Sequence, residues 1–212
     1  MQKIVYMHLL VLAEEDVREE FLKKKITDDT RITFVSNLSG MENIEHDALF
    51  IVTEVDLKKL ASLTSKPVFI NSTITPLKEL DLPKNFARFI GWSTFLKRET
   101  WEIATNNDSN LDVLKKLEWN YILVADEPGF VSAITIAMII NEAYYALGEN
   151  VSTKEEIDLA MKLGTNYPFG PFEWSVKIGL QNIYSLLKKL NENDNRYKIA
   201  PCLEREVNKN AT

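Results

Sequence analysis

The chain has 212 residues, 45% of them hydrophobic and 26% charged, enough apolar side chains for one large core or two small ones. Its formal net charge of −6 excludes the broad basic surface that nucleic-acid phosphates require. The single cysteine, Cys202, excludes an internal disulfide and fits a reducing, cytoplasmic setting.

The opening stretch, MQKIVYMHLLVLAEED, has an apolar run without a small-residue cleavage site, so no secretory signal is expected. Within it KIVYMH reads as a strand, and EEDVREEFLKKK then reads as a helix. RITFVS, ALFIVTE, PVFINS, FARFIGW, TWEIAT and YILVAD are short, apolar and rich in β-branched or aromatic residues, and read as further strands. DLKKLASLT and LDVLKKL read as helices between some of them. Alternation at this spacing implies an α/β layered sheet, parallel over much of its width, which binds ligands outside the carboxyl ends of its strands. This first domain extends over residues 1–126.

After DEPGF the pattern turns helical, and residues 127–212 read as a separate all-helical domain. FVSAITIAMIINEAYYAL carries Asn141 and Glu142 and is short for a membrane span, so it is expected to be buried in a core or at a subunit contact. Gly148 offers a stop. STKEEIDLAMKLG opens with a capping box from Ser152 to Glu155 and closes at Gly164. In TNYPFGPFEW, Pro168 ends that helix, while Gly170 and Pro171 supply a cap and first turn for the next. This last helix extends from Pro171 toward Asn193, and Gly179 inside it implies either a close helix contact or a break.

The helical motifs occur in a definite order: Pro128-Gly129-Phe130, Asn141-Glu142-Ala143, Ile157-Asp158, Gly164, then Pro168, Gly170-Pro171-Phe172 and Ile178-Gly179-Leu180. In that order they resemble the C-terminal domain of 3-hydroxyacyl-CoA dehydrogenases. FINSTITPLKEL and FIGWSTF…WEI are more weakly similar to segments of the family's first domain. The resemblance implies a trimmed Rossmann-like, mostly parallel sheet followed by a helical domain like the C-terminal domain of 6-phosphogluconate dehydrogenase. It also implies NAD as cofactor, an acyl-CoA as small-molecule partner, and a homodimer built through the helical domain. No nucleic acid or membrane partner is expected.

The residues that would carry the family's hydride transfer are differently filled. The turn after the first strand has no glycine, and the first glycine in the chain is Gly40. A dinucleotide's diphosphate needs glycines there to let the backbone approach. Glu14, Glu15 and Asp16 are expected to satisfy the first helix terminus themselves and to repel a diphosphate. Ser93 stands where the resemblance places the catalytic histidine, and Glu102 matches its carboxylate partner. These two are the candidate catalytic residues. Ala133 and Ile134 stand where the family carries asparagine and arginine, and Val176 and Gln181 where aspartates are common. His8 and His46 lie on the first strand and before the third, and read as structural or exposed.

Asn71, Ser72 and Thr73 close a strand and could bond an acyl carbonyl or hydroxyl, or form a turn or helix cap. Lys97 and Arg98 could meet CoA phosphates, or form a solvated strand end. Trp92, Phe95, Trp101, Phe169 and Trp174 could line an acyl pocket, or fill cores. Cofactor contacts and metal ligands are not assigned to any residue. Three functions follow: an acyl-CoA oxidoreductase, a non-catalytic ligand-binding dimer (a pseudoenzyme), or a pure interaction protein.

Overall fold

The computed structural model describes residues 7–41 and 44–210, so the first four residues of the expected strand KIVYMH lie outside the described residues. The chain divides into two compact units, Met1–Glu127 and Pro128–Thr212.

The first unit is an α/β layer. Its seven strands are β1 (Met7–Leu12), β2 (Thr30–Val35), β3 (Ala48–Ile51), β4 (Val68–Asn71), β5 (Phe86–Phe89), β6 (Thr100–Thr105) and β7 (Asn120–Leu123). They form one sheet in the order β2-β1-β3-β4-β5-β6-β7. Every pairing is parallel except β5 with β6, so the mostly parallel sheet is borne out. Strands β1, β3 and β4 are apolar on both faces. Leu9 and Val11 of β1 pack with Phe50, Phe69, Phe89 and Trp101 on one side, while Leu10 and Leu12 pack with Leu49, Ile51 and Val68 on the other. Alternate residues of a strand point to opposite faces, so this two-sided burial explains the continuous apolar runs. On the first face, Phe50 stacks on Phe69 and Phe89 on Trp101, each pair with ring centroids 4.7 Å apart.

Four short helices connect the strands: α1 (Glu15–Phe21), α2 (Leu57–Leu63), α3 (Leu77–Leu80) and α4 (Leu111–Lys116). The helix expected over EEDVREEFLKKK stops at Phe21, leaving the three lysines in a turn. Buried Phe21 lies edge-on to Phe50, Trp101 and Trp119, which anchors the end of α1 on the sheet.

The second unit holds α5 (Phe130–Gly148), α6 (Lys154–Thr165), α7 (Pro171–Ile178), α8 (Leu180–Asn191) and α9 (Pro201–Asn210). Helix α5 is long and apolar enough to cross a membrane by composition, yet it packs against α7, α8 and α9. Three boundaries differ from the sequence reading. The capping box uses Thr153 and Glu156 rather than Ser152 and Glu155, and the Ser152 hydroxyl donates to Glu156 as well. Helix α5 takes in Gly148 as its last residue and α6 runs through Gly164, and the left-handed residues that follow are Asn150 (φ 57°) and Asn166 (φ 55°). At Gly179 (φ 90°) the expected single helix breaks into α7 and α8.

Candidate functional site

The strand order reverses beside β1: the chain passes outward to β2 and returns to β3. Parallel sheets bind ligands beyond the carboxyl ends of strands at such a point. Because Phe89 of β5 pairs with Ile103 of antiparallel β6, the amino ends of β6 and β7 share that edge with the carboxyl ends of β1, β3, β4 and β5. Most of the candidate residues of the sheet unit lie along it.

Asn71, at the end of β4, ties three strand ends together. Its Nδ2 donates to the Val52 carbonyl (3.1 Å), and its Oδ1 accepts from the Gly91 N–H (3.0 Å) and the Thr73 hydroxyl (3.3 Å). A Cβ on Gly91 would fall 2.4 Å from Asn71 Cγ, so position 91 has no room for a side chain. The Ser72 hydroxyl donates to the Thr75 carbonyl (2.6 Å), and Thr73 is buried. The hydrogen bonds of this trio therefore close the turn that follows β4.

The same turn is held from beneath by Arg88, fully buried on β5. Its Nη1 donates to the Ser72 carbonyl (2.9 Å), its Nε to Asp126 Oδ1 (2.5 Å) and its Nη2 to the Glu127 carbonyl (2.5 Å). Asp126 also accepts the N–H groups of Leu77 and Lys78 at the start of α3, both at 3.0 Å. Burial raises the pKa of Asp126, but those two N–H groups and Arg88 outweigh it and hold the carboxyl below the usual range. The sequence reading missed this pair; an arginine inside an otherwise apolar strand was its signal.

Ser93 and Glu102 do not share a hydrogen bond. The exposed Ser93 hydroxyl donates to Glu20 Oε2 of α1 at 3.3 Å. Glu102 is buried on β6, beside a hollow of about 10 Å³ formed with Ile90, Phe95 and Arg98, room for little more than a water. Both histidines sit at the opposite edge. His8, near the amino end of β1, is hydrogen-bonded to the Thr33 hydroxyl at 2.8 Å, and His46 Nδ1 donates to the Ile44 carbonyl at 2.8 Å. From His8 to Leu12 the strand rises about 13 Å, so this imidazole is remote from the carboxyl edge.

Lys97 and Arg98 line a cleft of about 280 Å³ together with Lys23, Lys24 and Lys25. The Arg98 guanidinium lies 3.9 Å from the Phe95 ring centroid; burial lowers its pKa, opposed by Glu102. Lys24 is buried against Trp101 and Trp119, and its Nζ donates to the carbonyls of Arg98 (2.9 Å) and Glu99 (2.8 Å). Burial pulls its pKa down to about 8, against the pull of Glu99. The sequence reading placed the triple-lysine run inside the first helix; its pairing with Lys97 and Arg98 depends on where the turn after α1 falls.

Trp101 and Phe89 belong to the sheet core, and Trp92 and Phe95 are buried edge to face, 6.2 Å apart. In the helical unit Trp174 packs with both Tyr167 and Phe169. Between Leu12 and Glu15 only Ala13 and Glu14 intervene; Ala13 is buried, and its carbonyl accepts from Arg18 Nε at 3.1 Å. Glu14 is the N-cap but its side chain makes no cap bond, and the part of the expectation that rests on the Asp16 side chain lies outside the described residues.

The ordered motifs of the helical unit are structural. Asn141 Nδ2 donates to the Lys198 carbonyl (2.8 Å) and its Oδ1 accepts the Ala200 N–H (2.9 Å), which fixes the start of α9 on α5. Asp158 accepts the N–H groups of Phe172 (2.8 Å) and Glu173 (3.1 Å), capping α7 from α6. Glu173 Oε2 accepts the Gly170 N–H at 2.9 Å. This is a capping box whose first half comes from another helix, since Gly170 has no side chain. A Cβ there would lie 2.3 Å from Asp158 Oδ1.

The architecture is that of a Rossmann-type sheet followed by a helical domain. Residues 129–212 match the family model described as 3-hydroxyacyl-CoA dehydrogenase, C-terminal domain. The chain is similar to 3-hydroxyadipyl-CoA dehydrogenase of Escherichia coli (strain K12), 44% identical over 79 residues that cover 37% of this chain and 17% of that protein. It is also similar to 3-hydroxybutyryl-CoA dehydrogenase of Bradyrhizobium diazoefficiens, 36% identical over 110 residues that cover 50% of this chain and 38% of that protein. These matches span well under half the length of either relative. The crystal structure of (S)-3-hydroxybutyryl-CoA dehydrogenase from Ralstonia eutropha superposes with a TM-score of 0.72 at 19% identity, covering 97% of this chain and 94% of that one, a likeness of fold. The likeness to 3-hydroxyacyl-CoA dehydrogenases thus rests on the helical unit, residues 129–212, while the sheet unit adds a likeness of fold.

Proposed function

We propose that this chain is a family member without hydride transfer: a cytoplasmic homodimer that binds a small molecule of the acyl-CoA class and does not oxidise it. The observation that carries this reading is the junction between β1 and α1. Two residues with side chains fill it, one of them buried, and the Arg18 side chain already bonds the carbonyl of Ala13. A diphosphate needs bare backbone and free N–H groups at this place, so the residues present do not fit the dinucleotide in the family's mode. The candidate base points the same way. A serine hydroxyl is far too weak a base to accept a proton near neutral pH, and Ser93 donates to Glu20 rather than meeting Glu102. Self-association is supported by the exposed side of α5 and α6, where Met138, Ile139, Ala146 and Met161 line an apolar groove of about 390 Å³.

Fluorescence titration with NADH is the direct test. The expected result is no saturable signal up to about 1 mM, corresponding to binding weaker than ~4 kcal/mol. Micromolar affinity would overturn the reading, as would acetoacetyl-CoA-dependent loss of NADH that Glu102→Gln abolishes.

A further inference from the structure

In an acidic chain, the cleft at the amino ends of β6 and β7 gathers five cations, Lys23, Lys24, Lys25, Lys97 and Arg98, against two carboxylates, Glu99 and Glu118. They come from two distant segments: the turn that leaves α1 and the loop that enters β6. Like charges repel, so two such segments come together only where something holds them. Lys24 does so from below, its Nζ bonded to the carbonyls of Arg98 and Glu99 and lying 5.1 Å and 5.2 Å from the ring centroids of Trp101 and Trp119. Trp119 adds a second tie, donating from Nε1 to the Lys25 carbonyl at 2.6 Å. One carboxylate is partly committed, since Glu118 pairs with Lys25 at 2.8 Å. Lys23 and Lys97 stand exposed on the two segments, one on each.

We propose that this cleft is a binding site for the phosphate or diphosphate group of a soluble phosphorylated small molecule. Ammonium and guanidinium groups converging from two sides match a multiply charged phosphate, and walls of low dielectric strengthen each contact. The volume of about 280 Å³ lies at the lower end of the range for small-molecule pockets, which suits a phosphate-bearing end rather than a whole nucleotide. The net charge of −6 turns away long polyanions while leaving a local anion site open to a small one. The site is separate from the β1–α1 junction, though it lies along the same sheet edge. Only the identity of the ligand's remainder, an acyl-CoA, rests on the reading of function given above; the recognition of phosphate stands on the cleft alone.

Calorimetric titration with inorganic pyrophosphate, coenzyme A and phosphate-free pantetheine tests it on the full chain. Saturable binding of pyrophosphate is expected, weakening as salt rises, with no binding of pantetheine. The double variant Lys23→Ala/Lys97→Ala changes two exposed side chains and should weaken pyrophosphate by about tenfold or more, while Lys58→Ala/Lys59→Ala on α2 should leave it unchanged. Binding of pyrophosphate without coenzyme A would uphold the cleft and reject the acyl-CoA ligand. Binding of coenzyme A that is indifferent to the cleft variant, with none of pyrophosphate, would overturn the cleft and keep that ligand. Absence of binding for both would also overturn it, as would pyrophosphate binding that both double variants weaken alike.

Discussion

Asp158 stands in for a side chain that Gly170 lacks. Its two oxygens take the N–H groups of Phe172 and Glu173, and the carboxylate is buried as it does so. The proline–glycine junction is legible in the sequence as a helix start, because Gly170 and Pro171 occupy the positions expected of them. The partner of the glycine is not legible: it sits on the preceding helix, and no local spacing rule connects the two. Removing it leaves two N–H groups without acceptors at a packed helix end. Asp158→Ala is therefore expected to lower stability by about 2 kcal/mol, and Asp158→Asn, which keeps one acceptor, by less. Urea unfolding of the two variants against the parent chain measures this. An Asp158→Ala variant as stable as the parent would remove the cap from the account.

At the scale of elements, the strands were easier to read than the helix ends. Six of the seven strands match their expected runs, while the first, expected over KIVYMH, is found at Met7–Leu12 and shares only Met7 and His8 with it. Helix boundaries moved because the sequence offers rival signals one or two residues apart. Ser152 with Glu155 and Thr153 with Glu156 are equivalent boxes on paper, and the second lets both hydroxyls bond Glu156 or its backbone. Asparagine tolerates the left-handed region nearly as well as glycine, so Asn150 and Asn166 take the place expected of Gly148 and Gly164. Gly179 left two readings open, and its φ of 90° selects the break. Asn182 Nδ2 then donates to the Ile178 carbonyl at 2.7 Å, satisfying an acceptor at the end of α7. A Cβ at Gly179 would meet nothing closer than 3.3 Å, so the cost of Gly179→Ala is conformational rather than steric. It should be about 1–2 kcal/mol. A stabilised Gly179→Ala chain in the same unfolding measurement would mean that the helix runs on unbroken.

For the whole molecule, the α/β-then-helical plan follows from a change in hydrophobic period along the chain. Strand order, the reversed β6 and the assembly of the basic cleft do not, since each depends on which distant segments pair. The same would hold for the proposed association between copies, whose mark would be apolar surface with no partner inside the chain. Ile139 and Met161 line an apolar groove between α5 and α6, and Leu159 and Leu163 of α6 are 54% and 78% exposed elsewhere on that helix. Buried against a second copy about a twofold axis, one such face would cover the other, because a twofold contact uses the same patch on both partners. Light scattering should then return twice the 24.4 kDa of a single chain. Ile139→Glu places a charge in the groove without touching the buried contacts of Asn141 or Asp158. It should shift the mass to that of one chain while circular dichroism keeps its helical signal. A parent chain that remains at the single-chain mass at high concentration would show that this face covers nothing of its own kind.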